Sequence, residues 1–152
     1  MKEIPILFGA PMVRAILDWK KTMTRRPVRH SRTCRFGEVG DFLWVRETWT
    51  SINGTIFYKE RDPDIQNHFM FQGWRPSLFM PRNCARIRLE ILNIEVQKVQ
   101  ELDDTAAQAE GFANRQEFRA YWDSMYAKKP EYLWKHNPDI WAISFKMLPK
   151  ED

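Results

Sequence analysis

The stretch MVRAILDWKKTMTRRPVR, residues 12–29, joins an amphipathic segment to a strongly basic one. Apolar residues recur in its first half at the spacing of one helix face: Met12, Ala15, Ile16 and Trp19. This spacing predicts a helix over residues 12–19, and Pro11 suits its first turn. Beyond Lys20 the side chains alternate until Pro27, which predicts a short extended segment. A helix that runs into such a segment can place Lys21 and Thr24 side by side.

Lys21 and Thr24 are a candidate base and nucleophile. A neutral threonine is a poor nucleophile and needs a neighbouring base, and a lysine can serve if its amine is partly neutral. Arg25 and Arg26 would lower the pKa of Lys21, because nearby like charges disfavour the ammonium form. The same run of residues is also typical of a basic face that is solvated or contacts phosphate. From this stretch alone both interpretations stay open.

Positive charge is concentrated in the same part of the chain. The 152 residues carry a formal net charge of +4, and their number predicts a single domain over residues 1–152. Eight of the 24 basic residues but only one of the 20 acidic ones lie between Arg14 and Arg35, so the rest of the chain has a net charge of −3. Such a local patch favours an anionic partner such as RNA, DNA or a nucleotide, or a surface that serves only solubility.

Composition excludes several classes of protein. Cys34 and Cys84 are too few for a disulfide framework, and the three histidines show no metal-ligand spacing. We therefore expect no metal and no cofactor. No apolar run approaches the length of a membrane span and the N-terminus has no signal-peptide core, so the sequence predicts a soluble cytoplasmic protein.

The remaining elements indicate a mixed α+β domain built on a mainly antiparallel, strongly bent sheet or barrel with flanking helices. Strands are predicted at residues 2–8, 42–49, 55–59, 85–99 and 140–147, with a hairpin turn at Asn53-Gly54. The phase of alternation shifts near Leu92, which predicts a bulge. A short helix capped by Asp103 or Asp104 should end before Gly111. Asn114 and Glu117 predict the cap of a second helix, whose buried face should carry Phe118, Tyr121, Trp122 and Met125.

The segment at residues 60–81 has no regular pattern. It holds three prolines and several aromatic residues, including Trp74. A loop of this kind either covers a pocket as a lid or plugs one end of the core. The sequence does not decide between the two.

Four motifs in this order resemble the ASCH superfamily, whose domains have a PUA-like β-barrel fold. They are KKTMTRR at residues 20–26, GEVGDFLWV at 37–45, AQAEG at 107–111 and WAISFK at 141–146. The segments LWVRETW at 43–49, WRPS at 74–77 and MPR at 80–82 are similar to those of the longer members often found in bacteriophage genomes. The likeness extends over residues 6–147.

The resemblance implies a specific activity. Small bacterial enzymes of this superfamily remove the acetyl group from the exocyclic amine of acetylcytidine with a lysine, a threonine and a glutamate. Their Lys-Thr-x-Thr motif falls on Lys21, Thr22 and Thr24, and their glutamate on Glu110. Thr24 is then the expected nucleophile, Lys21 the base and Glu110 the residue that orients the lysine or carries a proton to the departing amine.

The expected reaction also requires residues that bind the substrate. Arg26 is a candidate donor to the oxyanion, as is a backbone amide. The strand at 42–49 carries Arg46 and Glu47 to its far end, and three tryptophans are candidates to stack on a nucleobase or to lie in the core: Trp44, Trp49 and Trp74. Two features depart from the small enzymes, namely the added segment at residues 53–81 and Gly111, where those enzymes have a polar residue.

A second interpretation is a noncatalytic ASCH or PUA-like module that binds RNA or a nucleotide. Here five arginines would hold phosphates while tryptophans stack on bases: Arg25, Arg26, Arg29, Arg32 and Arg35. The sequence leaves the oligomeric state open. It also does not distinguish a free nucleoside from a modified base within nucleic acid.

Overall fold

The computed structural model describes residues 1–150, in which seven strands and three α-helices are present. The strands are β1 (Glu3–Leu7), β2 (Met23–Pro27), β3 (Phe42–Arg46), β4 (Trp49–Ile52), β5 (Thr55–Tyr58), β6 (Arg88–Lys98) and β7 (Asp139–Met147). The helices are α1 (Ala10–Leu17), α2 (Asp104–Ala109) and α3 (Arg115–Met125). Short 3₁₀ turns occupy much of the connection between β5 and β6.

Five strands form one sheet in the order β1-β3-β6-β7-β2, and β4 and β5 form a separate hairpin. The pairing of β1 with β3 is parallel, and the other pairs are antiparallel. The predicted mixed α+β architecture with a mainly antiparallel sheet is therefore confirmed. The strands do not close into a hydrogen-bonded barrel within residues 1–150, because β1 and β2 each remain an edge.

Strand β7 lies between two hydrophobic clusters. Trp141, Ile143 and Phe145 belong to the larger cluster, which packs under α1. Ile140 and Ala142, on the other face of the strand, belong to the cluster formed with α2 and α3. The side chains on the two faces of β7 thus pack into two different hydrophobic clusters. This arrangement brings the helices against the sheet edge at which β2 pairs with β7.

Helix α1 begins after Gly9 with Pro11 in its first turn, as predicted. Its buried residues include Met12, Ala15 and Ile16. The prediction that Trp19 extends this face is wrong, since Trp19 has a φ of 61° and its side chain is exposed. The helix ends two residues earlier because the backbone amides of Lys20 and Lys21 both donate to the carbonyl oxygen of Ala15. The chain thereby turns sharply toward β2.

The predicted strand at residues 42–49 is divided in two. β3 ends at Arg46, and Trp49 begins the hairpin of β4 and β5, whose turn places Asn53 and Gly54 at φ values of 51° and 81°. The residues that follow form a third hydrophobic cluster with this hairpin: Trp49, Tyr58, Met80 and Cys84. The segment at residues 53–81 thus packs on its own small core beside β3.

The other local predictions are confirmed by the hydrogen bonds. The register of β6 against β7 shifts between Ile91 and Asn93, at the predicted bulge. The Asp103 side chain accepts a hydrogen bond from the Ala106 amide at 2.8 Å and caps α2. Asn114 caps α3 in the same way, and Phe118 and Trp122 are buried on its predicted face, but Met125 is exposed. None of the helices within residues 1–150 has the length and apolar character that crossing a membrane would require.

Gly111 follows α2 with a φ of 97°, and an added Cβ there would lie 3.1 Å from Cβ of Ala15 and 3.6 Å from Cβ of Lys21. Gly40 has a similar φ of 92° with no atom within 4 Å of an added Cβ. Both glycines therefore carry the same backbone constraint, but only Gly111 lies against its neighbours.

We predict that Gly111→Ala lowers the free energy of unfolding more than Gly40→Ala does. The shared backbone strain should cost about 1–3 kcal/mol in each variant. Crowding against Ala15 should add about 1 kcal/mol or more to the cost of Gly111→Ala. Urea denaturation of the two variants measures the difference. Equal losses would contradict the close approach of this turn to α1.

Candidate active site

The first residues of the basic segment connect α2 to the sheet. The backbone amide of Thr22 donates to the carbonyl oxygen of Ala109 at 2.8 Å, and the Thr22 carbonyl accepts from the Phe145 amide at 3.0 Å. An isolated antiparallel bridge pairs Lys21 with Glu110. The backbone thus brings together two residues that are 89 positions apart.

The carboxylate of Glu110 lies between two cations. Its Oε1 accepts a hydrogen bond from Nζ of Lys21 at 3.0 Å, and its Oε2 accepts one from Nη1 of Arg25 at 2.9 Å. The Lys21 ammonium also donates to the Glu110 carbonyl oxygen at 3.0 Å. The three side chains are only 2–3% exposed. In such surroundings charge pairs are strong, and an unpaired charge is costly.

Burial lowers the pKa of Lys21 below that of a free lysine. Loss of hydration is the largest cause, and the positive charges of Arg26 and Arg25 act in the same direction. The Glu110 carboxylate opposes them, because its charge and its hydrogen bond favour the ammonium form. Lys21 is therefore a lysine whose amine deprotonates more readily than usual.

The Thr24 hydroxyl is buried and accepts a hydrogen bond from Nε of Arg26 at 3.3 Å. Nη2 of Arg26 donates in turn to the Leu7 carbonyl oxygen at 2.8 Å. Within residues 1–150, Lys21 and Thr24 share no hydrogen bond, since the Lys21 ammonium is held by Glu110. Proton transfer between the two side chains would require the lysine amine to turn from the carboxylate toward the hydroxyl.

Lys21, Thr24 and Glu110 line one cavity of about 20 Å³, which has room for a single water molecule. The other lining residues are two arginines, five aromatic residues and two methionines: Arg25, Arg26, Phe8, Phe118, Tyr121, Trp122, Tyr126, Met12 and Met125. Burial raises the pKa of Tyr121 and of Tyr126, so both phenols are neutral at physiological pH. The cavity therefore combines cationic donors with aromatic walls.

Five of the predicted substrate-binding residues do not line this cavity: Trp44, Arg46, Glu47, Trp49 and Trp74. The Arg46 guanidinium lies 4.8 Å from the Trp44 ring centre and donates through Nε to the Met80 carbonyl oxygen. Trp49 and Trp74 lie in the 49–84 region, where Trp49 is part of the third hydrophobic cluster. Of the six predicted binding residues, Arg26 lines the cavity.

Glu47 takes part in a separate ionic network. Both of its carboxylate oxygens accept hydrogen bonds from Arg86 at 2.9 Å, and Arg86 also donates to Glu60 at 2.7 Å. Burial raises the pKa of Glu47, and the contact with Arg86 opposes that rise. Glu60 further accepts from Arg14 on α1 at 3.3 Å. This network ties the 53–81 segment to the sheet and to α1.

The sequence interpretation missed several residues of the site, chiefly Arg25, Phe8, Tyr121 and Tyr126. The alternating pattern placed Arg25 next to Thr24 but gave no sign of its partner, Glu110. Tyr121 does belong to the predicted apolar face of α3, so its position was foreseeable but its role was not. The turn after β1, which positions Phe8, carries no recognisable motif.

Comparisons with known proteins agree with this fold. No protein-family model and no curated protein sequence matches the chain. Among solved structures, an ASCH domain from Lactobacillus crispatus JV V101 superposes with a TM-score of 0.60 at 11% sequence identity, covering 96% of this chain and 79% of that one. A protein from Enterococcus faecalis V583 of the family DUF984 gives a TM-score of 0.57 at 10% identity, covering 97% and 82%.

A third structure, the hypothetical protein PH0355, gives a TM-score of 0.55 at 14% identity and covers 97% of this chain and 100% of that one. At these identities the likeness concerns the arrangement of the backbone. The three matches cover 96–97% of this chain and 79–100% of the other chains. The chain has an ASCH-like fold of the PUA-like type.

Proposed function

We propose that this chain is an amidohydrolase that removes an acyl group from the exocyclic amine of an N4-acylated cytidine or a related modified nucleoside. The observation that carries the proposal is the convergence of Lys21, Thr24 and Glu110 on one buried cavity. These are the three residues that the resemblance to acetylcytidine amidohydrolases assigns to catalysis. The lowered pKa of Lys21 suits it to act as a base.

In the first half of the proposed reaction, Oγ of Thr24 forms a bond to the carbonyl carbon of the amide. The Thr24 hydroxyl proton passes to the neutral amine of Lys21, and the carbonyl electron pair moves to oxygen. When the carbon–nitrogen bond breaks, the departing exocyclic amine takes a proton from the Lys21 ammonium. Glu110 stabilises that ammonium and orients it. The products of this half are the free nucleoside and an acyl ester of Thr24.

In the second half, a water molecule attacks the ester carbon and gives a proton to Lys21. The bond between the carbon and Oγ of Thr24 then breaks, and Oγ regains a proton from Lys21. The acyl group leaves as a carboxylic acid, and the site returns to its starting state. The proposed mechanism uses only protein side chains and water, and we place the reaction in the cytoplasm.

The size of the cavity limits how the substrate binds. A space of about 20 Å³ accepts a carbonyl group and excludes a nucleobase. We therefore place the base at the mouth of the cavity, against the rings of Tyr121 and Tyr126, both of which are partly exposed. Met125, which is 47% exposed, lies beside them and can move to admit the base.

A second candidate function is RNA binding, and a surface groove supports it. The groove has a volume of about 540 Å³ and is lined by Val28, Arg29, His30, Arg32, Val96, Glu131, Tyr132, Pro138, Asp139 and Trp141. Exposed arginines beside aromatic rings are typical of sites for single-stranded nucleic acid. Arg25 is unsuited to this role, because it is buried and paired with Glu110.

The first prediction of the proposed function concerns the three residues assigned to catalysis. Thr24→Ala, Lys21→Met and Glu110→Gln should each lower kcat on N4-acetylcytidine by about a hundredfold or more, and double variants should be little worse than the worst single one, because the residues act as a unit. Release of cytidine measures the rate. Thr50→Ala is the matched control, since Thr50 is equally buried but donates to the Gly73 carbonyl oxygen, outside the cavity.

If folded Thr24→Ala turns over acylcytidine at a rate close to that of the unchanged protein, Thr24 is not the nucleophile. Modest and additive losses, seen mainly in KM, would also contradict the mechanism. They would indicate that the three residues only bind the ligand.

The second prediction concerns pH. Because Lys21 must be neutral to act, kcat/KM should rise with pH through an apparent pKa below the usual lysine value of 10.5. The Glu110 carboxylate raises the pKa of Lys21, so Glu110→Gln should move this rise to lower pH. A pH–rate profile of each protein measures the shift. A rise that moves to higher pH, or does not move, would show that Lys21 is not the titrating base.

The third prediction tests the RNA interpretation. Replacing Arg29, Arg32 and Arg35 together with alanine should weaken binding of single-stranded RNA and reduce the slope of log K against log salt by about 2, while acylcytidine hydrolysis continues. Fluorescence anisotropy over a salt series measures both. The control replaces three exposed lysines outside the basic patch at residues 14–35: Lys59, Lys128 and Lys135. An equal effect of the two triple variants would mean that these three arginines make no specific phosphate contact.

A further inference from the structure

Arg25 is a buried arginine whose hydrogen bonds are only partly satisfied. Its residue is 6% exposed, and its Nη1 donates to Oε2 of Glu110 at 2.9 Å. Its Nε is buried and has no hydrogen-bond partner within residues 1–150. A buried donor without an acceptor is costly, so such a group on a residue that lines a cavity indicates an acceptor that arrives with a ligand or as ordered water.

The cavity that Arg25 lines narrows the choice of acceptor. Its volume of about 20 Å³ holds one atom group of the size of a water molecule. Three cations line it, Lys21, Arg25 and Arg26, against one carboxylate, Glu110. An oxygen that becomes negatively charged therefore fits this space better than a neutral or positive group.

Arg26, the donor proposed from the sequence, is less available to such an oxygen because two of its N–H groups already have acceptors. Its Nε already donates to Oγ1 of Thr24, and its Nη2 donates to the Leu7 carbonyl oxygen. The Lys21 ammonium is held by Glu110. Among these three cationic side chains, the buried donor without a protein acceptor is Nε of Arg25.

We infer that Arg25 is a further catalytic residue, whose Nε–H donates to the carbonyl oxygen of the scissile amide and to the oxyanion that forms there. The inference rests on the proposed function. When Oγ of Thr24 bonds to the carbonyl carbon, the carbonyl electron pair moves to oxygen and the Arg25 N–H stabilises it. The pair returns to the carbon–oxygen bond as the carbon–nitrogen bond breaks. Arg25 keeps its proton throughout.

The same guanidinium holds Glu110 through Nη1. One side chain thereby holds the carboxylate that orients Lys21 and also donates to the substrate oxygen that becomes negatively charged when Thr24 attacks. Arginine suits this double task because its donors have a rigid planar arrangement. A lysine at this position can still pair with Glu110 but lacks the second, fixed donor.

The test compares N4-acetylcytidine with N4-thioacetylcytidine, whose sulfur is a weak hydrogen-bond acceptor. The quantity to compare is the rate on the oxygen substrate divided by the rate on the sulfur substrate. This ratio should be larger for the unchanged protein than for hydrolysis by hydroxide in solution. Arg25→Lys should lower kcat on the oxygen substrate by about a hundredfold or more, in line with loss of one oxyanion donor. It should lower kcat on the sulfur substrate much less, so the ratio of the two rates falls.

Two controls separate this role from support of Glu110. Glu110→Gln should slow both substrates alike and leave the ratio unchanged. Arg82→Lys makes the same substitution at an arginine paired with a glutamate, Glu3, but away from the cavity, and should change neither rate. Thermal melting checks that each variant is folded.

An unchanged ratio in folded Arg25→Lys would overturn the inference, because Arg25 would then act only through Glu110. If that variant does not fold, the unchanged protein still provides a test. An oxygen-to-sulfur rate ratio no larger than that for hydroxide would also overturn the inference. Both of these outcomes leave the proposed hydrolase intact. Failure of the unchanged protein to cleave either substrate would overturn the hydrolase together with the role of Arg25.

Discussion

The buried carboxylate of Glu110 is the anion on which the arrangement of the site depends. It pairs with Lys21 and Arg25, and all three side chains are almost fully enclosed. Removing one member of a buried ionic group typically costs about 3–5 kcal/mol, because the remaining charge is left without a partner. The carboxylate thus holds β2 against the end of α2. The carboxylate also raises the pKa of Lys21 against the larger lowering by burial, which links stability to the proposed chemistry.

Backbone contacts also position this carboxylate, in addition to its side-chain ion pairs. The Thr22 amide and carbonyl join α2 to β7, and Gly111 lets the chain leave α2 close to Ala15. These contacts bring residues from two distant parts of the chain to one sheet edge. The buried charges are therefore held by a framework of hydrogen bonds and glycine geometry, and their mutual attraction alone need not assemble the site.

Local patterns predicted the parts of this fold that depend on local physics. The helix near Met12, the hairpin at Gly54, the bulge near Leu92 and the caps at Asp103 and Asn114 all follow from spacing, turn residues or capping. Local patterns could not predict whether the sheet closes into a barrel. Strand alternation shows which side chains share a face, but it does not show whether the two edge strands pair with each other. The end of α1 was placed too late, since Trp19 fits the helical spacing while the backbone has already turned.

The site was only partly predictable. Lys21, Thr24 and Glu110 were identified by resemblance, and the structure brings them to one cavity. The sequence left open whether each tryptophan stacks on a base or lies in the core, because a large aromatic ring in a sequence looks the same whether it fills a core, as Trp49 does, or lines a pocket. The pairing of Arg25 with Glu110 could not be foreseen, since it joins residues 85 positions apart.

The central claim is that Thr24 carries the acyl group between the two halves of the reaction. The most direct test is to mix the protein with N4-acetylcytidine, quench with acid within the first turnovers, digest, and sequence the peptides by mass spectrometry. We expect a peptide containing Thr24 that is heavier by one acetyl group, and no such peptide from Thr24→Ala. Release of cytidine with no acylated Thr24 at any quench time would mean that Thr24 does not carry the acyl group.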